Sequence, residues 1–128
     1  MSAVTRFFFR GPYARPTTWS VIRWWESRRL AFNLAVGGAG LISLGAIALA
    51  GGPRFPLELV IAYGVLANLF FCLGPLVDAL VCRAWGSNFV AVGPTLFRYG
   101  FVFAVGLTLL PIPLLLLGVV VRLLRFFL

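Results

Sequence analysis

Histidine and lysine are absent from this 128-residue sequence, methionine occurs only as Met1, and Glu26, Glu58 and Asp78 are the only acids. Without histidine, no serine or cysteine nucleophile has an imidazole base, and a familiar haem ligand is missing together with the usual axial ligand of chlorophyll. Glu58 and Asp78 stand twenty residues apart, about 30 Å along a helix, so they form no acid–base pair. No glycine-rich loop precedes a basic phosphate cradle. These absences predict a chain that is not an enzyme, with no catalytic residue, no metal site and no cofactor of its own.

Cysteine is scarce too. Cys72 and Cys82 are ten residues apart, about 15 Å on a helix, which is too far for a bridge between them. Their spacing fits neither a metal knuckle nor a redox pair, and we read them as small apolar packing residues.

What the sequence has in abundance is apolar surface. Hydrophobic residues make up 62% of it and charged residues 11%, against about 45–50% and about 25% in an ordinary soluble domain. A chain this short cannot bury such surface in a water-soluble core, so lipid must solvate it. The expected fold is all-α and integral to the membrane: one domain over residues 1–128, with an N-terminal interfacial helix and three transmembrane helices.

The first 29 residues hold six of the eleven arginines together with Trp19, Trp24 and Trp25. From Thr17 or Thr18 as N-cap, the stretch to Arg29 reads as a helix in the headgroup layer. Arg23, Trp24, Trp25, Arg28 and Arg29 are its expected lipid anchors, joined by Trp85 at the end of the second span. A basic segment just ahead of an apolar run fits anionic phospholipid and topology determination, not a nucleic-acid groove.

The spans are expected at 30–50, 57–82 and 99–121. The first, uncharged over twenty-one residues, is about 31 Å long as a helix, and Gly51-Gly52-Pro53 ends it. Pro75 should kink the second span or end its regular part early. A connecting segment from Arg83 to Arg98 reads as a loop with a short interfacial piece. Pro111 and Pro113 should kink the third span; turning the chain back as a re-entrant hairpin is the alternative. Ser27-Arg28-Arg29 and Ala48-Leu49-Ala50 resemble an export signal with its cleavage site, but the span-length apolar run predicts a retained helix.

With the N-terminus inside, eight arginines (6, 10, 15, 23, 28, 29, 83 and 98) are cytoplasmic and Arg54, Arg122 and Arg125 are not. That obeys the positive-inside rule, and all four tryptophans then share one interface. The expected location is a bacterial inner membrane.

Asn33, Asn68 and Asp78 are the polar residues of the spans. We expect them to bond between helices, Asp78 with Arg83, Arg28 or Arg29; a proton or ion path using Asp78 and Glu58 is the functional alternative. Ala35, Ala39 and Ser43 form a small-residue ridge on the first span, and Gly100, Ala104 and Thr108 repeat its rhythm on the third. Phe70, Phe71, Phe97, Phe101 and Phe103 are expected to face lipid or a peripheral pigment or quinone.

The segment Arg23-Trp-Trp-Glu-Ser-Arg-Arg-Leu-Ala-Phe-Asn33 resembles the stretch before the first span in a set of uncharacterised small bacterial inner-membrane proteins. Asn68…Leu-Gly-Pro-Leu76 and Gly93-Pro-x-Leu-Phe-Arg98 are similar to that set as well. The resemblance covers most of residues 23–110 and implies a multi-span membrane protein with a structural role for Glu26 and Asn33; it implies no activity. The resulting expectation is a non-catalytic accessory subunit of a larger membrane complex, photosynthetic or respiratory, whose partners are other membrane subunits and anionic lipid. A self-associating transporter using Asp78 and a lipid-interacting envelope protein are the alternatives, and homo-oligomers fit any of them.

Overall fold

The computed structural model describes residues 2–10, 17–86 and 92–128. All of its regular elements among them are helices: α1 (Ala3–Phe9), α2 (Thr18–Leu49), α3 (Leu57–Trp85), α4 (Gly93–Leu109) and α5 (Pro111–Phe127). α2, α3 and the α4–α5 pair are each long and apolar enough to cross a bilayer, so this is a multi-pass membrane protein with three spanning helices.

Thr17 starts α2 as expected. Its hydroxyl accepts from the Ser20 backbone N–H at 3.2 Å while the Ser20 hydroxyl accepts from the Thr17 N–H at 2.9 Å, so two of the N–H groups a helix start leaves free are satisfied. From there α2 runs unbroken for 32 residues, about 48 Å. The expected interfacial helix therefore does not exist as a separate element. No glycine or proline stands between Trp19 and Arg29, so nothing interrupts the i→i−4 ladder before the apolar span begins. A different short helix, α1, takes the N-terminal position. At the far end Gly51, with φ +69°, lets the Gly52 N–H reach back to the Ile47 carbonyl at 2.9 Å, a left-handed stop that favours glycine.

α3 also exceeds its expected bounds. It passes Pro75 without a break and continues to Trp85, so Pro75 does not end the regular helix. α4 begins at Gly93, with Pro94 in its first turn where a missing N–H costs nothing. The segment expected as loop up to Arg98 is thus helical from Gly93; its residues 87–91 lie outside the described residues.

The third span bends at Leu110. Pro111 has no N–H for the Leu107 carbonyl, which accepts instead from the Leu110 N–H at 3.3 Å. Leu110 keeps helical dihedrals of −53° and −35°, and the chain carries on as α5. The result is a bent span and not a re-entrant hairpin.

α2 is the central helix and touches α3, α4 and α5, while α1 lies against α4. Its inward face is Val21, Trp25, Arg28, Phe32, Val36, Ala39, Ser43 and Ile47, a stripe stepping by three and four residues as helical packing requires. Ala39 and Ser43 sit on that stripe and Ala35 at its edge, while Ala104 and Thr108 meet it from α4. Phe71 and Phe97 join Phe32 and Trp25 in the core instead of facing lipid; Phe70 and Phe103 are exposed as expected.

Candidate functional site: a buried carboxylate at the helix junction

Where α2, α3 and the start of α4 converge, Asp78 has no exposed surface. The Trp25 indole N–H donates to its Oδ2 at 3.0 Å. The backbone N–H groups of Val92 and Gly93, at the N-terminus of α4, lie beside the same carboxylate. Val92 is the N-cap of α4 and offers no side-chain cap, so a residue from another helix supplies the negative end that the α4 dipole and its free N–H groups favour. Among the described residues Oδ1 has no hydrogen-bond partner. The expected arginine partner is not there: the ion pair among the described residues joins Glu26 and Arg29, and Arg28 points elsewhere. A short donor with a flat apolar body fits against α3, whereas a solvated guanidinium would bring water into the core.

Two glycines make the approach possible. A methyl group on Gly93 would overlap the Asp78 carboxylate, and one on Gly74 would overlap the six-membered ring of Trp25. Around the indole, Trp24, Phe71 and Phe97 are set edge-on at 5.5, 5.5 and 5.8 Å between ring centroids, the geometry the ring quadrupoles prefer. Trp25 is thus an internal strut. This corrects its expected role as a headgroup anchor.

Arg28 is also turned inward and is 8% exposed. Its Nε and Nη2 donate to the Phe7 carbonyl at 3.0 and 2.9 Å, and Nη1 to the Trp24 carbonyl at 3.1 Å. The guanidinium carbon lies 3.8 Å from the centroid of Trp24 and 5.0 Å from that of Phe7. A cation at the carbonyl end of α1, forked across one oxygen and stacked between rings, fixes α1 onto the bundle. Trp24 adds a hydrogen bond to the Arg10 carbonyl at 2.9 Å. Of the other expected anchors, Arg23 and Trp85 are exposed and free to meet headgroups, while Arg29 holds Glu26 and lies over the Phe71 ring at 4.8 Å. The structural role suggested for Glu26 is this contact.

Deeper in the span, Asn68 Nδ2 donates to Asn33 Oδ1 at 2.9 Å, so the two asparagines do bond between helices. The Ser43 hydroxyl donates to the Thr108 carbonyl at 2.6 Å, and Tyr63 Oη meets Thr108 Oγ1 at 2.7 Å. Each polar layer ties helices together at one depth. Between α3 and α4 a groove of about 490 Å³ opens sideways, lined by apolar and aromatic side chains that include Phe70, Phe101 and Phe103. Among the described residues no three of His, Cys, Asp and Glu converge.

Sequence reasoning picked out Asp78 and Trp25 separately but missed their pairing, and it missed Gly74, Gly93 and the Phe7 carbonyl. The signal for Gly93 was present in Gly93-Pro94, since proline favours a helix's first turn; a carbonyl-capping role for Arg28 leaves no mark in the local pattern. Comparisons with family models, with curated proteins and with solved structures give no match for this chain.

Proposed function

We propose that this protein is a non-catalytic accessory subunit of a larger bacterial inner-membrane complex, with its N-terminus in the cytoplasm. The observation that carries this reading is α5: seventeen residues of which none is buried within the chain. Ser43, Tyr63, Thr108 and Asp78 in the rest of the bundle hold helices to one another, so the chain's outward assets are chiefly packing surface and basic anchors. An apolar helix with so little of its own chain around it suits a neighbouring subunit's helices.

Among the described residues the N-terminal end of α2 gathers seven arginines (6, 10, 23, 28, 29, 83 and 98) against three at the opposite end, which supports a cytoplasmic N-terminus. Anionic phospholipid is the natural counter-charge for Arg23 and the other exposed guanidiniums there. Acyl chains, or a pigment or quinone tail, suit the α3–α4 groove, whose lining is almost wholly apolar.

Capture of the tagged chain from gently solubilised membranes tests the reading. Other polypeptides in fixed ratio, identified by mass spectrometry, are expected; a chain that comes down only with copies of itself overturns it. A second reading is favoured by Asp78, whose Oδ1 is buried without a partner among the described residues: a small transporter in which that carboxylate carries the ion. Ion flux in liposomes that vanishes with Asp78→Asn supports the second reading, and its absence in the parent chain removes it.

A further inference from the structure

The outward face shared by α2 and α3 carries polar groups at a depth where lipid offers them nothing. Asn33 is exposed there, one turn inside the apolar part of α2, and Leu34, Ile61 and Leu69 around it are 67%, 57% and 61% exposed. Asn68 uses both hydrogens of its amide nitrogen, one on Asn33 Oδ1 at 2.9 Å and one on the Gly64 carbonyl at 3.0 Å. Among the described residues this leaves the Asn33 amide N–H groups and the Asn68 amide oxygen without hydrogen bonds. One face therefore presents an unused donor beside an unused acceptor. Hydrocarbon satisfies neither, and each unsatisfied group in lipid is costly.

The arrangement is complementary to itself. α2 and α3 run in opposite directions, and their hydrogen bond places Asn33 and Asn68 at the same depth. A half-turn about an axis parallel to the membrane normal keeps depth and exchanges left for right. It sets the free Asn33 N–H of each copy opposite the free Asn68 oxygen of the other, so both bonds form at once, as an isologous contact requires. Toward the N-terminal end of the same face, Glu26 and Arg29 pair with each other at 2.6 Å, so this part of the surface carries no unpaired acid among the described residues. Between the exposed leucines and Ile61 the face is locally open: Gly37 and Gly64 have no atom within 4 Å of where a methyl would lie, and a shallow groove of about 470 Å³ runs between Arg29, Gly64, Asn68 and Cys72. Backbones that come this near let interhelical packing replace the hydrophobic drive that lipid removes.

We propose that the α2–α3 face is a self-association surface, on which two copies dock about a two-fold axis along the membrane normal through reciprocal Asn33–Asn68 amide hydrogen bonds. Among the described residues α5 touches α2 and α4 and not α3.

Cys72 lies on this face and is exposed, which makes it a native probe. Two differently tagged full-length copies, both carrying Cys82→Ala, are co-expressed, treated in intact membranes with a short bis-maleimide, and then captured through one tag. The expected result is a species of twice the chain mass that carries both tags. Asn33→Leu with Asn68→Leu should lower its yield about tenfold while helix content by circular dichroism stays unchanged. Gly64→Leu, which fills the groove and leaves both amides in place, should lower it as well. Wild-type copies that never co-capture overturn the proposal. So does a Cys72 cross-link made only to a different polypeptide, or a dimer whose yield neither the asparagine nor the glycine substitutions reduce.

Discussion

The Trp25 indole N–H and the Asp78 carboxylate are 3.0 Å apart across fifty-three residues of sequence, and this one bond joins the two long helices at the point where the third begins. The ring closes the core on the α3 side at Gly74, and the carboxylate caps α4 on the other. A buried donor and a buried acceptor that depend on each other make the junction sensitive to losing either.

Trp25→Phe keeps most of the ring and removes only the N–H. It should lower stability by about 1–3 kcal/mol, the cost of leaving a buried polar group without its partner. Trp25→Ala also opens a cavity and should cost about 3–5 kcal/mol. Thermal unfolding in detergent, followed by circular dichroism, orders the two; a Trp25→Phe protein as stable as the parent removes the hydrogen bond from the account.

Glycine substitutions should divide by place. Gly93→Ala and Gly74→Ala push a methyl into the Asp78 carboxylate and the Trp25 ring, so each is expected to destabilise by about 1–3 kcal/mol. Gly118→Ala in α5 meets nothing within 4 Å and should be neutral or stabilising by up to about 1 kcal/mol through helix propensity. The same melts measure all three, and a common effect at the three positions contradicts the close approach described for α3 and α4.

Arg28→Lys keeps the charge and loses the forked grip on the Phe7 carbonyl. A seven-residue helix has too few hydrogen bonds to persist alone, so α1 should undock. Hydrogen–deuterium exchange over residues 3–9 should rise about tenfold or more, matching the roughly 1.5–3 kcal/mol of a hydrogen bond to a charged group, with exchange in α2 and α3 unchanged. Protection of α1 equal to the parent's shows that other contacts hold it.

Glu26→Gln should do little to the fold. Its bond with Arg29 is short, but both side chains are partly open to solvent, and such pairs contribute about 0–1 kcal/mol. A melting temperature that falls as far as for Trp25→Phe assigns the pair a larger role.

Much of this architecture is legible in composition and spacing. The scarcity of charged residues and the three span-length apolar runs determine a helical membrane protein, because only helices or closed barrels satisfy every backbone group in lipid. Gly51, Pro94 and Pro111 mark a helix stop, a helix start and a bend, since their backbone limits act locally. Thr17 begins α2 for a similar reason. Burial was harder to read. Periodicity marks a face of α2 but does not say whether tryptophan and arginine on it turn to headgroups or to the core, and in a membrane chain both sides of a helix are apolar. Only the tertiary structure decided that Trp25 and Arg28 face inward, that Asp78 answers an indole and a helix N-terminus instead of an arginine, and that Asn33 and Asn68 share one depth. Those outcomes depend on which helices meet and how closely glycine lets them approach, and contacts between residues so far apart in the chain leave no local pattern to find.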